Sequence, residues 1–403
     1  MSNLPNLSHG RHTLAIPGPS VMPERVLQAM HRPAPNIYTG ELVDLTYSLF
    51  PDLKVVAKTA GQVALYIGNG HAAWEASLAN VLAPGDKVLI PGAAQFSLGW
   101  GVTAEKRGLV VEHLDFGRRA PIDPQAVEDA LRADTDHKIK AVLVVQVDTA
   151  SSAKSDLAAI RAAMDAAAHS ALLIVDSIAC LGCDDMQMDA WGVDILVTGS
   201  QKGLMVPPGM CFVFFNAKAA AARDKMERVS AYWDWKPRAD PEMYYQISCG
   251  TAPTHHLYGL RVALDMIVHE EGLDNVLARH ATLARALWAA CDVWGQAGPL
   301  ELNIADTAAR SNAVTSLRIG APHGARLRDW VTDQAGLTLG IGLGMATDED
   351  PQSDGFFRIG HMGHVNAHML MGTLGSIDAA FKALDVPHGA GALEAASAVC
   401  AGQ

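Results

Sequence analysis

Two side chains placed 26 positions apart are suited to amine chemistry. Asp176, in Ile174-Val-Asp-Ser-Ile178, closes a run of apolar residues, and a carboxylate there needs a partner because an unpaired buried charge is costly. A protonated pyridine nitrogen is one such partner, and capping of the next helix is an equal alternative. Lys202 lies in Thr198-Gly-Ser-Gln-Lys-Gly203. A lysine on a Gly/Ser turn is ordinarily a surface lysine. Here the apolar run Leu204 to Gly209 follows it, and a partly desolvated lysine loses its proton more readily and becomes the amine that forms Schiff bases.

Three further groups could complete such a site. Gly68-Asn-Gly-His71 is a glycine-rich turn leading into a helix, where backbone N–H groups and the helix dipole suit a phosphate. It also reads as a plain turn, and it is not the GxGxxG dinucleotide fingerprint. Phe96 follows the strand-like run ending at Pro91 and is placed either to stack on a flat ring or to fill the core. Arg358, in Phe356-Phe-Arg-Ile-Gly-His-Met-Gly363, offers a fork for a carboxylate, although a surface ion pair is the commoner fate of an arginine.

The elements that must hold these residues are written in the hydrophobic pattern. Lys87–Pro91, Leu109–Leu114, Lys140–Val145, Ala171–Val175, Asp194–Val197 and Met210–Phe215 read as strands, several of them continuously apolar as in sheets buried on both faces. Helical stretches such as Ser155–Ala168 alternate with them, which predicts an α/β fold with a mostly parallel sheet flanked by helices. Both Asp176 and Lys202 then follow strands at the edge where open α/β sheets bind ligands. A long helix is predicted over Thr254–Glu271, closed by Gly272, and another over Leu273–Val293.

With 403 residues, two domains are expected. The reading is an N-terminal arm over 1–20, a large cofactor domain over 21–260, a smaller α+β domain over 261–390, and a poorly ordered tail over 391–403. The net charge of −12 without a basic cluster argues against nucleic acid or an acidic membrane surface as partner. Met1 to Pro5 carries no secretory pattern, and the apolar runs are too short to span a bilayer. Cys180 and Cys183 form a lone CxxC among six cysteines, which reads as free thiols in a reducing cytoplasm rather than a metal site.

Taken in order, Gly-Asn-Gly-His, Asp-Ser-Ile-Ala, Gly-Ser-Gln-Lys and Arg-Ile-Gly-His-Met-Gly resemble the class V aminotransferases of fold type I, nearest to the alanine–glyoxylate and serine–glyoxylate group. Ile16-Pro-Gly-Pro-Ser20 and Pro207-Pro-Gly209 share the likeness, which covers nearly the whole chain. The resemblance implies pyridoxal 5'-phosphate as cofactor, held as a Schiff base by Lys202, with Asp176 on the ring nitrogen and Phe96 stacked on the ring. It places Gly70, His71, Ala72, Ile178 and Gln201 around the cofactor, Thr251 on the phosphate of a neighbouring subunit in a homodimer, and Arg358 on the substrate α-carboxylate. Ping-pong transfer of an amino group from a small amino acid to glyoxylate or pyruvate is the implied reaction, with Lys202 moving the α-proton. Pyridoxamine–pyruvate and ureidoglycine–glyoxylate transamination are alternatives within the fold; a non-catalytic regulator and a nucleotide-binding sheet are alternatives outside it.

The chain departs from the family in three places. Ala150, in Asp148-Thr-Ala-Ser-Ser-Ala153, stands where a hydroxyl usually faces the cofactor, leaving Thr149 or Ser151 to substitute. Tyr38, in Asn36-Ile-Tyr-Thr-Gly40, lies in a segment that in the family lines the partner's site, so it bears on substrate choice. The acidic run 347–354 is longer than expected and reads as a solvated loop or a flap.

Overall fold

The computed structural model describes residues 6–403; Met1 to Pro5, and with them the start of the expected arm, lie outside the described residues. Its first strands are β1 (Thr13–Ala15), β2 (Gln62–Gly68), β3 (Lys87–Pro91), β4 (Val110–Leu114), β5 (Ile139–Val145) and β6 (Leu172–Asp176). The chain continues through β7 (Ile195–Gly199), β8 (Gly209–Phe215), β9 (Glu301–Leu302), β10 (Val314–Arg318), β11 (Leu337–Ile341) and β12 (Phe356–Gly360).

A seven-stranded sheet takes the order β2-β8-β7-β6-β5-β3-β4. It is parallel from β4 through β7, and β8 runs antiparallel to both of its neighbours. The continuous apolar runs have the cause anticipated for them. Val142 and Val144 enter the core on one face of the sheet, while Ala141, Leu143 and Val145 enter the core on the other.

The second sheet, β1-β11-β12-β10-β9, is antiparallel except for β1 beside β11. Its core packs Phe357 and Ile359 against Leu287, Trp294 and Leu374. The first core extends to Val276 and the second begins, apart from Ala15, at Leu283, so the changeover falls inside the helix Leu273–Gly295.

Two local expectations are corrected. The helix from Thr254 holds α geometry to Leu264 and then widens into a π turn over Asp265–Glu270, while Gly272, at φ 83°, opens the next helix. The tail is not poorly ordered: Ala392–Cys400 is a helix packed along Leu273–Gly295, with Ala392 and Ala396 buried. Its approach is fixed by the Gly389 N–H donating to the Trp294 carbonyl at 2.9 Å, and a Cβ at Gly389 would lie 2.0 Å from the Val293 carbonyl oxygen. An Ala- and Gly-rich stretch looks featureless in sequence because its apolar signal comes from small side chains.

Candidate active site

At the carboxyl ends of β5, β6 and β7 lies a cleft of about 200 Å³. It gathers Gly70, His71, Phe96, Thr149, Asp176, Ile178, Gln201 and Lys202, all singled out from sequence, together with Trp74, which was not.

Asp176 is the last residue of β6 and is buried. Its Oδ1 accepts the Ile178 N–H at 2.7 Å, and its Oδ2 accepts the Trp74 indole N–H at 2.7 Å. Burial pushes the carboxyl pKa up to about 7; the two hydrogen bonds and the Lys202 charge oppose that rise, and the charge of Asp148 adds to it. Trp74 lies one helical turn beyond His71, their rings 4.7 Å apart, and stacks on Trp100 at 5.7 Å. That i,i+3 spacing was the available sequence signal, but a tryptophan in an apolar helix reads first as core.

Lys202 follows β7. Burial, reinforced by the Arg358 charge, lowers its pKa to about 8. Its amine donates to the Pro17 carbonyl. Gly18 makes room for it: at φ 100°, a Cβ there would sit 2.3 Å from the lysine Nζ. Ser20 closes the wrap, its hydroxyl donating to the Lys202 carbonyl at 2.7 Å and its N–H to the Gln201 carbonyl at 2.9 Å. The Ile16–Ser20 motif therefore acts on the lysine directly.

The helix Gly70–Val81 begins at the cleft wall, where Asn69 caps it by accepting the His71 N–H at 3.1 Å. Gly70 lets Ile178 approach; a Cβ at Gly70 would fall 2.4 Å from Ile178 Cδ1. Ala72 belongs to the same first turn, but its side chain packs into the core rather than lining the cleft. Phe96, in the first turn of the helix Gln95–Lys106, faces Trp74 edge-on at 6.4 Å. The Gln201 Oε1 is buried without a hydrogen-bond partner, the condition of an acceptor that awaits a ligand donor.

Between the two candidates left open by Ala150, the geometry separates Thr149 from Ser151. Thr149 lines the cleft. Ser151 is turned away, its hydroxyl accepting the Ala153 N–H at 3.2 Å beside a separate small hollow, and Ala150 packs on Met345 and Phe356. Arg358, on β12, is not part of the cleft wall. Its Nε donates to the Ile341 carbonyl at 2.7 Å and its Nη1 to the Thr149 carbonyl at 2.8 Å. Burial lowers its pKa to about 10, against the pull of Asp148.

Tyr38 and Thr251 stand outside the cleft of their own chain and are exposed, Tyr38 at 82%. The acidic run is a turn-rich loop in which the Asp350 carboxylate accepts the Asp354 and Gly355 N–H groups, both at 2.8 Å. Among the described residues, no helix is long and apolar enough to cross a membrane.

Comparison with known proteins places the chain in a family. A family model described as aminotransferase class-V matches residues 65–357. The chain is similar to a serine–glyoxylate aminotransferase of Methylorubrum extorquens, 37% identical, with 91% of this chain and 90% of that one covered. Among solved structures it resembles the ureidoglycine–glyoxylate aminotransferase of Bacillus subtilis, with a TM-score of 0.85, 28% identity, and coverage of 98% and 99%. It also resembles the pyridoxamine–pyruvate aminotransferase of Mesorhizobium loti, with a TM-score of 0.85, 25% identity, and 98% of each chain covered. An amine and a carboxylate facing one cleft at the ends of parallel strands, on a chain matched along nearly its whole length, make this protein a member of the class V aminotransferases, pyridoxal-phosphate enzymes of fold type I.

Proposed function

We propose that the chain transfers the amino group of a small amino acid, with serine or alanine foremost, to glyoxylate or a similarly small 2-oxo acid, using pyridoxal phosphate bound through Lys202. The observation that carries this reading is that Lys202 and Asp176 share one cleft, with burial moving the pKa of one down and of the other up.

The residues present fit the cofactor. Gln201 lines the cleft with an amide whose NH2 can donate to a phosphate or ring oxygen, the helix starting at Gly70 offers first-turn N–H groups to a phosphate, and Phe96 supplies a flat apolar surface. Asp176 would hold the ring nitrogen, His71 and Gln201 would flank the ring and phosphate, and Thr149 is the hydroxyl in place of Ala150. Bound pyridoxal phosphate supplies the electron sink that makes an α-proton removable.

The protein's own work is proton handling and orientation. At its lowered pKa, much of Lys202 is neutral near pH 8, so its Nζ accepts the α-proton and returns it. Pro17 O gives that amine a hydrogen-bond acceptor while it is free. Arg358, with Nε and Nη1 anchored by carbonyls, directs its remaining donors to the substrate carboxylate. A homodimer completes the site, with Tyr38 and Thr251 entering the partner's cleft; their exposure supports this. Six unpaired cysteines support a reducing cytoplasmic setting.

The serine–glyoxylate and ureidoglycine–glyoxylate names of the relatives support glyoxylate as acceptor. The pyridoxamine–pyruvate likeness keeps that reaction as the second reading. The test is an absorbance spectrum of the purified protein before and after serine, alanine, aspartate and pyridoxamine are added in turn. A yellow band bleached by serine or alanine is expected. A protein that stays colourless with added pyridoxal phosphate would sink the assignment of Lys202, and a yellow band that forms only when pyridoxamine and pyruvate are supplied together would install the second reading. Lys202→Ala is expected to abolish turnover while leaving the circular dichroism of the fold unchanged.

A further inference from the structure

We propose that Asp148 is a positioning residue that ties the aromatic wall of the cleft to the arginine that receives substrate, a role that rests on the reading of Phe96 and Arg358 given above. Asp148 is buried and does not line the cleft. Its partners are backbone amides. Oδ2 accepts the Phe96 N–H at 2.7 Å and the Ser97 N–H at 3.3 Å, while Oδ1 accepts the Ala150 N–H at 2.9 Å.

Each oxygen does a separate job. The helix Gln95–Lys106 starts after Ala94, which has no side-chain oxygen, so its first turn lacks a local cap. Asp148 fills that place from 52 residues away, with a negative charge that the helix N-terminus favours, and so fixes Phe96. The other oxygen pins the turn at Ala150. Thr149, inside that turn, lines the cleft and presents its carbonyl to Arg358 Nη1 at 2.8 Å. Movement of the carboxylate therefore disturbs the cofactor face and the substrate clamp together. Burial raises the Asp148 pKa, while the Ala150, Phe96 and Ser97 amide hydrogen bonds and then the Arg358 charge draw it back.

An amide cannot copy this arrangement. Asparagine offers one acceptor oxygen where three N–H groups converge from two sides, and its NH2 would oppose a donor. The carbonyl is expected to stay with Phe96 and Ser97, abandoning Ala150.

The test uses Asp148→Ala and Asp148→Asn, with amide hydrogen exchange on the cofactor-free proteins and steady-state kinetics on the loaded enzymes. Asp148→Ala is expected to speed exchange of the Phe96, Ser97 and Ala150 amides about tenfold, with the central strands unchanged. It is also expected to raise both the cofactor dissociation constant and the KM of the amino donor about tenfold, more than it lowers kcat. Asp148→Asn, the fallback should the alanine variant not fold, is expected to loosen Ala150 while sparing Phe96 and Ser97, and to raise the KM more than the cofactor dissociation constant. A carboxylate that served stability alone would lower the melting temperature and leave exchange at these amides and both constants at wild-type values, and that result overturns the proposal. Wild-type protein that takes up no cofactor overturns the reading of Lys202 instead, and the exchange data then judge Asp148 without it.

Discussion

The indole nitrogen of Trp74 reaches Asp176 Oδ2 at 2.7 Å across 102 residues of chain, so a side chain from the helix Gly70–Val81 steadies the carboxylate at the end of β6. Replacing Trp74 by Phe keeps an aromatic ring against Trp100 and removes the donor. A hydrogen bond to a charged group contributes about 1.5–3 kcal/mol. Trp74→Phe is therefore expected to weaken cofactor binding at least about tenfold in a spectrophotometric titration. Unchanged affinity would mean that the Ile178 N–H alone holds Asp176.

Gly18 stands against the lysine amine. In Gly18→Ala the new methyl lies 2.3 Å from Nζ, at a backbone φ of 100° that costs a non-glycine residue about 1–3 kcal/mol. Turnover is expected to fall by well over tenfold, with the large sheet still folded by circular dichroism. A variant with wild-type kcat would show that Lys202 does not use this path.

Burial of Asp176 makes a signed pH prediction for the cofactor-free protein. Its folded pKa, about 7, lies above the 3.8 of the unfolded chain, so its neutral form is the one the fold prefers. The stability it contributes is fully present below about pH 4 and is lost as the pH rises through about 7. Asparagine does not ionise. The melting temperature of Asp176→Asn relative to wild type should therefore climb between about pH 4 and pH 7 and level off above, the full shift corresponding to at most about 4 kcal/mol. A difference independent of pH would contradict the burial argument. The same variant should lose most of its turnover, a trade of stability against function.

How much of this was legible depended on whether a residue's role was local. β5 and β6 could be read because strands buried on both faces are apolar along most of their length, and Asp176 and Lys202 because one ends such a strand and the other follows one. Trp74 and Asp148 could not, since the meaning of each lies in a partner far along the chain. Ser151 and Thr149 are chemically near-equivalent in the sequence, and only the folded turn separates them, Thr149 lining the cleft and Ser151 a different hollow. β1 has three residues, too few to show a period, and it is recognised only by its pairing with β11.

The C-terminal helix supplies a test of the second core. Deleting 391–403 strips Ala392 and Ala396 from the face of Leu273–Gly295 and leaves that face open to water. Each kcal/mol lost lowers Tm by about 2–4 °C in a domain of 150–250 residues, so a drop of several degrees is expected in a thermal melt. An unchanged Tm would mean that the helix is dispensable.

The segment Thr13–Ser20 has a mechanical consequence. Its first residues are a strand of the small sheet, and two residues beyond that strand the Pro17 carbonyl receives the Lys202 amine. The lysine is thus leashed to the second sheet by a length of chain too short to absorb displacement. A displacement of that sheet would therefore carry with it the carbonyl on which the Lys202 amine rests.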